Sequence, residues 1–194
     1  MSNRLKIFCT NIGEYVDIEG GETLIEIFKR LKGRIPLEPI CARVNNKTED
    51  LAYPVFAPKK VEYLSRQSSS GRRVYVRSLC MMLYKAVTDL YPGTRLRIEH
   101  SIAGGYYCRL HDGKEVTVET IEAIKAHMSG LVERDIPFER KERLTSDVIR
   151  IFERQGLDDK VRLLRTIHEL YTVYYRLDGV CDSYYGNLAP STGM

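Results

Sequence analysis

Apolar and polar residues change period several times along the chain. Over Arg4–Thr10 ("RLKIFCT") and Glu14–Gly20 ("EYVDIEG") they alternate, as in half-buried strands, with a turn at Asn11–Gly13. "GGETLIEIFKRLKG" then takes a helical period, with Leu24, Ile27, Phe28 and Leu31 on one face. Thr23 and Glu26 stand at capping-box spacing before it, and Gly33 suits its C-terminal cap. "ICARVNNKTEDL" predicts a hairpin turning at Asn45–Asn46, and "KKVEYL" a further strand. In "VRSLCMMLYKAVTDLYPG", Val76–Gly93, residues Leu79, Met82, Leu83, Ala86, Val87 and Leu90 form one helical stripe, closed by Pro92 and Gly93.

Beyond that helix, "TRLRIEHSIAGGYYCRLHDGKEVTVE" predicts strands with turns at Gly104–Gly105 and at His111–Lys114. The next segment puts Ile121, Ile124, Met128, Leu131 and Val132 on one helical face. "TSDVIRIFERQG" predicts a short helix capped by Thr145 or Ser146 and stopped at Gly156. A last helix starts at Asp158 or Asp159. The Ser/Gly stretch "SRQSSSGRR" has no packing period and reads as a linker over 65–73, between units spanning 1–64 and 74–194. The order ββα followed by strands is a β-grasp (ubiquitin-like) pattern. The second unit mixes helices and strands without βαβ alternation, so the chain is α+β.

The 194 residues suffice for one large domain or two small ones. No apolar run approaches the roughly 18 residues of a membrane span, and the start lacks a secretory signal, so a cytoplasmic protein with no membrane partner is expected. Five scattered cysteines without a CxxC pair read as reduced thiols, and no metal site is expected. Lys59, Lys60, Arg66, Arg72 and Arg73 face only Glu62 in their segment, an excess equal to the whole net charge of +4. Such a run contacts a phosphate backbone or is a solvated linker. Tyr106, Tyr107, Tyr174, Tyr175, Tyr184 and Tyr185 stack on a base or pack in the core. His100, His111, His127 and His168 are solitary and read as structural or surface residues. Neither Gly-x-x-x-x-Gly-Lys-Ser/Thr nor Gly-x-Ser-x-Gly nor His-Glu-x-x-His occurs, so no catalytic residue is assigned.

The stretches "VDIEGGETLIEIF", "ARVNNKTEDLAYPV" and "KKVEYL" resemble a TGS domain, a small β-grasp module. That resemblance implies binding of a ligand or RNA. From Tyr75 onward, "MLYKAVTDLYPG", "IEHSIAGGYYC", the segment 121–156 and "GNLAPSTG" resemble the editing domain of threonyl- and alanyl-tRNA synthetases. In that family two histidines four apart on the helix, and a Cys and a His before the Pro-Ser-Thr-Gly anchor, carry the hydrolysis. Here the first pair falls on Arg77 and Met81 and the second on Tyr184 and Leu188, with Gly186 matching the glycine between. None is retained; the resemblance implies the fold without the deacylation, and Arg77 joins the basic residues as a candidate anion ligand. The two units together also resemble the N-terminal region of a uridine-kinase-like nucleoside kinase of Bacteroidetes. This implies a C-terminal kinase domain, with its ATP and Mg²⁺, beyond Met194, and a chain truncated within its second domain.

Overall fold

Strand alternation pairs β1 (Arg4–Cys9) with β2 (Glu14–Glu19), antiparallel, with Ile7 opposite Val16. That register turns Ile7, Cys9, Val16 and Ile18 to one side, where α1 (Leu24–Leu31) covers them with Leu24, Ile27, Phe28 and Leu31. The capping box forms as expected: Glu26 N–H donates to Thr23 Oγ1 at 3.4 Å, and Thr23 N–H donates to Glu26 Oε2 at 2.8 Å. Strands β3 (Cys41–Val44) and β4 (Lys47–Glu49) make the expected hairpin, with Asn45 at φ 50°. Strand β5 (Lys60–Leu64) lies parallel to β1 and antiparallel to β3, giving the mixed order β2-β1-β5-β3-β4 of a β-grasp sheet. Tyr63 is buried beneath α1, its hydroxyl donating to the Leu24 carbonyl at 2.8 Å.

The computed structural model describes residues 4–111 and 116–194. The turn expected at His111–Lys114 falls mostly outside them. Two compact units are present, residues 1–78 with 186–190 and 194, and residues 79–185 with 191–193. The Ser/Gly stretch is therefore no irregular linker. Helix α2 (Ser69–Leu90) begins inside it, and the division between units falls within that helix, after Ser78. A local cap starts the helix where periodicity gives no sign. Ser68 Oγ accepts from Gly71 N–H at 3.0 Å, and a Cβ on Gly71 would stand 2.0 Å from the Ser65 carbonyl oxygen.

In the second unit, β6 (Arg95–Ile102) and β7 (Gly105–His111) form a two-stranded ribbon, turned by Ala103 and Gly104 at positive φ. Helix α3 (Val118–Arg134) is capped by Thr117 and ended by Asp135 at φ 47°. Of its expected apolar face only Leu131 is buried, and Ile121 is 48% exposed. Strand β8 (Glu139–Leu144), absent from the sequence reading, pairs with β9 (Tyr171–Leu177), which pairs with β10 (Val180–Asp182). Helices α4 (Thr145–Arg154) and α5 (Asp158–Thr166) bury Val148, Phe152, Val161 and Leu164 with Tyr174 and Cys181. Neither Thr145 nor Ser146 caps α4. Thr145 is its first helical residue, with its hydroxyl donating to the Glu169 carbonyl at 2.6 Å.

The end "PSTG" has a structural use. Thr192 Oγ1 accepts from Ile136 N–H at 2.8 Å and donates to the Leu131 carbonyl at 2.5 Å, closing the C-terminal turn of α3. Gly193 N–H donates to Asp135 Oδ1, at a place where a Cβ would stand 2.5 Å from that oxygen.

Candidate functional site

The basic run is continuous in sequence but separates on folding. Lys59 and Lys60 enter β5, whereas Arg66, Arg72 and Arg73 follow its far end. The strand sets the two groups about 13 Å apart along its axis. Glu62, the run's acidic residue, is held by Arg43 at 2.7 Å. Arg66, Arg72 and Arg73 are exposed, and Arg73 Nη2 donates to Ser70 Oγ at 3.1 Å. Arg77, Arg43 and Arg73 all approach the Cys41 thiol. Burial dominates there and pushes its pKa up to about 11, against the opposing pull of the three arginines.

Of the four positions to which the resemblance points, three have gone to packing and Tyr184 lines a cavity. In the first unit, Arg77 Nε donates to the Asn187 carbonyl at 3.1 Å, and its guanidinium lies 2.9 Å from the place of a Cβ on Gly186. Asn187 Nδ2 donates to the Thr48 carbonyl at 2.7 Å, and Ala189 N–H donates to Ser78 Oγ at 2.8 Å. Leu188 is buried. The charge of Arg77, expected to offer itself to an anion, is thus engaged in seating residues 186–190. In the second unit Met81 is 0% exposed, so it faces packed side chains and no opening. Tyr184 is half-buried.

Around Tyr184 the second unit holds a cavity of about 250 Å³. Its polar lining comes from Cys80 and Tyr84 on α2, Lys160 on α5, and Asp182 and Tyr184 beyond β9. Lys160 Nζ donates to the Ser183 carbonyl at 2.6 Å, pairs with Asp182 at 3.0 Å, and sits 5.4 Å from the centroid of the Tyr184 ring. Gln155 fixes the wall. Its amide donates to the Cys181 carbonyl at 2.7 Å and accepts from Cys181 N–H at 2.8 Å, and also donates to Tyr84 Oη at 3.4 Å. Arg95 and Arg97 at the rim are paired with Asp158 and Asp159 at 2.5 and 3.0 Å.

The electrostatics of this cavity suit recognition. Burial, aided by Asp182, holds the Tyr84 and Tyr184 hydroxyls above the ordinary tyrosine range, most strongly for Tyr184. Burial likewise raises the Cys80 thiol, with Cys108 and Asp182 adding to the rise. At neutral pH these groups are neutral hydrogen-bond partners and not nucleophiles. No histidine lines the cavity. His127 instead meets Asp89 at 2.9 Å, beside the ion pair that buried Lys85 makes with Asp89, and His100 packs on Tyr107. Among the described residues no group of three His, Cys, Asp or Glu side chains converges to hold a metal.

The six tyrosines do not form one stacking set. Tyr174 and Tyr175 are in the core, Tyr106 and Tyr107 lie exposed on the ribbon, and Tyr185 is 88% exposed. Sequence reasoning missed Tyr84, Gln155, Lys160 and Asp182, which come together from four separate segments. The only sequence signal was the position of Asp182, two residues before Tyr184.

A β-grasp unit preceding an α+β unit of the editing type defines the class of fold. No family model matches the chain. It is related to the N-terminal region of threonine–tRNA ligases. It is 30% identical over 172 residues to the ligase of Carboxydothermus hydrogenoformans, covering 88% of this chain and 27% of the ligase. With the Acidithiobacillus ferrooxidans ligase it shares 32% over 157 residues, covering 80% and 24%. With that of Clostridium kluyveri it shares 27% over 190 residues, covering 97% and 30%. The chain spans about a quarter of the length of these relatives. Among the described residues no helix is long and apolar enough to cross a membrane.

Proposed function

We propose that this chain is an RNA-binding module, tRNA being its foremost ligand, derived from the N-terminal region of a threonine–tRNA ligase and without hydrolytic editing. The carrying observation is that Arg77, Met81, Tyr184 and Leu188 stand where the resemblance places the editing residues, and that Arg77, Met81 and Leu188 are taken up in packing. The exposed Arg66, Arg72 and Arg73 supply cationic contacts to a phosphate backbone, with Lys59 and Lys60 as a second group. The raised pKa values around the cavity favour holding a polar group over attacking an ester.

Titration of fluorescent tRNA by anisotropy, with salt varied between about 50 and 200 mM, tests the reading. Affinity should fall steeply with salt, because each phosphate contact releases condensed counterions. A parallel assay with mischarged tRNA should show no deacylation above the spontaneous rate. Absence of tRNA binding at low salt would sink the proposal, and enzymatic deacylation would overturn the loss of editing.

A second context is supported by the combined motif set of the two units. In it the chain acts as the non-catalytic, regulatory or ligand-binding N-terminal region of a cytoplasmic uridine kinase, with ATP and Mg²⁺ bound by a kinase domain C-terminal to it. The coding sequence past Met194 tests this directly: a phosphate-loop motif is expected there, and its absence removes the kinase context.

A further inference from the structure

The sheet of the first unit has two faces, and α1 covers only one. The register fixes what the other presents. Phe8 on β1 stands opposite Tyr15 on β2 and, across the parallel pair, beside Lys60 on β5. Their chain neighbours Ile7, Cys9, Val16 and Val61 all point into the core, so Phe8, Tyr15 and Lys60 form one row on the uncovered face. Lys6 follows two residues before Phe8 on that face, with Asp17 opposite it.

The row has the make-up of a stacking platform. The Phe8 and Tyr15 rings meet edge to face at a centroid separation of 5.2 Å. Tyr15 is 73% exposed, so a ring face is open to solvent, and no α1 side chain reaches it. Lys6 and Lys60 are exposed, and neither ammonium has an ion-pair or hydrogen-bond partner among the described residues. Arg43 and Glu62 neutralise each other further along the face, and Asp17 and Glu19 on β2 stand opposite Lys6 and Arg4, leaving Lys60 beside Phe8 as the face's excess charge. Cross-strand aromatic pairing alone explains the Phe8–Tyr15 contact. It does not account for an open ring flanked by unpaired ammonium groups.

We infer that the uncovered sheet face, centred on Phe8, Tyr15 and Lys60, binds single-stranded RNA by stacking an unpaired base on Tyr15 and holding the adjoining phosphates with Lys60 and Lys6. Splayed bases stacked on exposed sheet aromatics are a recurrent solution to single-strand recognition, and the flanking cations complement the backbone. A duplex hides its base faces, so the platform discriminates in favour of unpaired segments. The inference rests on the RNA-binding reading and gives it a second surface, distinct from Arg66, Arg72 and Arg73.

The test is anisotropy of a fluorescein-labelled twelve-nucleotide single-stranded RNA and a duplex of the same length, titrated with the full chain. Tyr15→Ala should weaken single-strand binding roughly tenfold and leave duplex binding unchanged, whereas Tyr15→Phe keeps the wild-type affinity. Lys60→Ala should lower the slope of log affinity against log salt by about 0.7 for the single strand. Because Tyr15 is mostly solvated and loses only its edge-to-face contact with Phe8, its removal should lower the melting temperature by no more than about 4 °C; Phe8→Leu, which keeps apolar packing, provides a second variant with the same expected loss of binding. If wild-type chain binds RNA and both aromatic variants bind equally well, the platform is wrong and the RNA-binding reading stands. If neither the oligonucleotides nor tRNA binds at low salt, both fail.

Discussion

Arg77 and Gly186 are fitted to each other: the guanidinium occupies the space a side chain at 186 would need, 2.9 Å from the nearest Cβ position. Gly186 is at φ 119°, where an L side chain is strained as well as obstructed. Gly186→Ala should therefore cost about 2 kcal/mol and lower Tm by roughly 4–8 °C. In an Arg77→Ala background the obstruction is gone, and the same substitution should cost less. A double-mutant cycle by thermal denaturation reads the difference, and strict additivity would show that the two do not interact.

Gly71 gives a case where helix propensity and packing predict opposite signs. Alanine in a helix is normally favoured over glycine by about 1 kcal/mol. At Gly71 the new Cβ would stand 2.0 Å from the Ser65 carbonyl oxygen, which is backbone and cannot swing aside. Gly71→Ala should destabilise by more than about 2 kcal/mol, seen as a lower urea midpoint. A stabilised variant would refute the close approach.

Cys41 makes stability depend on alkaline pH. Its pKa rises on folding from an ordinary 9.0 to about 11, chiefly through burial. The folded state thus keeps a proton that the unfolded state releases. The contribution is complete below pH 9.0 and is lost progressively as pH climbs towards about 11, at up to about 1.4 kcal/mol per pH unit. The stability gap between wild type and Cys41→Ala should be constant below about pH 8.5 and shrink above it. Parallel curves from pH 8 to 10.5 would contradict this origin.

Thr192→Val preserves shape and removes the hydroxyl that closes α3. Ile136 N–H would lose a partner in a half-buried place and the Leu131 carbonyl one in a buried place. The expected loss is about 1–3 kcal/mol. Hydrogen exchange at the Ile136 amide should accelerate beyond the change in global stability, and unaltered protection there would show that the bond does not matter.

The first unit was legible because its local signals agree. Alternation, the Thr23–Glu26 box and the Asn45 turn each specify the same β-grasp order. Strand β8, "ERKERL", was not, since five of its six residues carry charge and it becomes a strand by pairing with the Tyr-rich β9. The start of α2 was hidden for a related reason: its first turns are set by Ser68 and the Ser65 carbonyl rather than by an apolar stripe. Periodicity placed Met82, Ala86 and Val87 inside correctly, but it had no means of showing that Met81, beside the stripe, is equally enclosed. The basic residues were found as types, and their division between the ends of β5 needed the fold. The cavity was invisible because Tyr84, Gln155, Lys160 and Asp182 are far apart in sequence and individually unremarked.

Gln155 has a consequence for how the second unit behaves among copies of itself. Strand β10 is a sheet edge, and in its three residues Val180 and Asp182 turn their backbone groups towards β9 while Cys181 turns outward. Both outward groups are already occupied by one side-chain amide. A stray strand arriving at that border would find no unpaired N–H or C=O to begin a ladder, so the glutamine is a built-in guard against sheet-to-sheet aggregation.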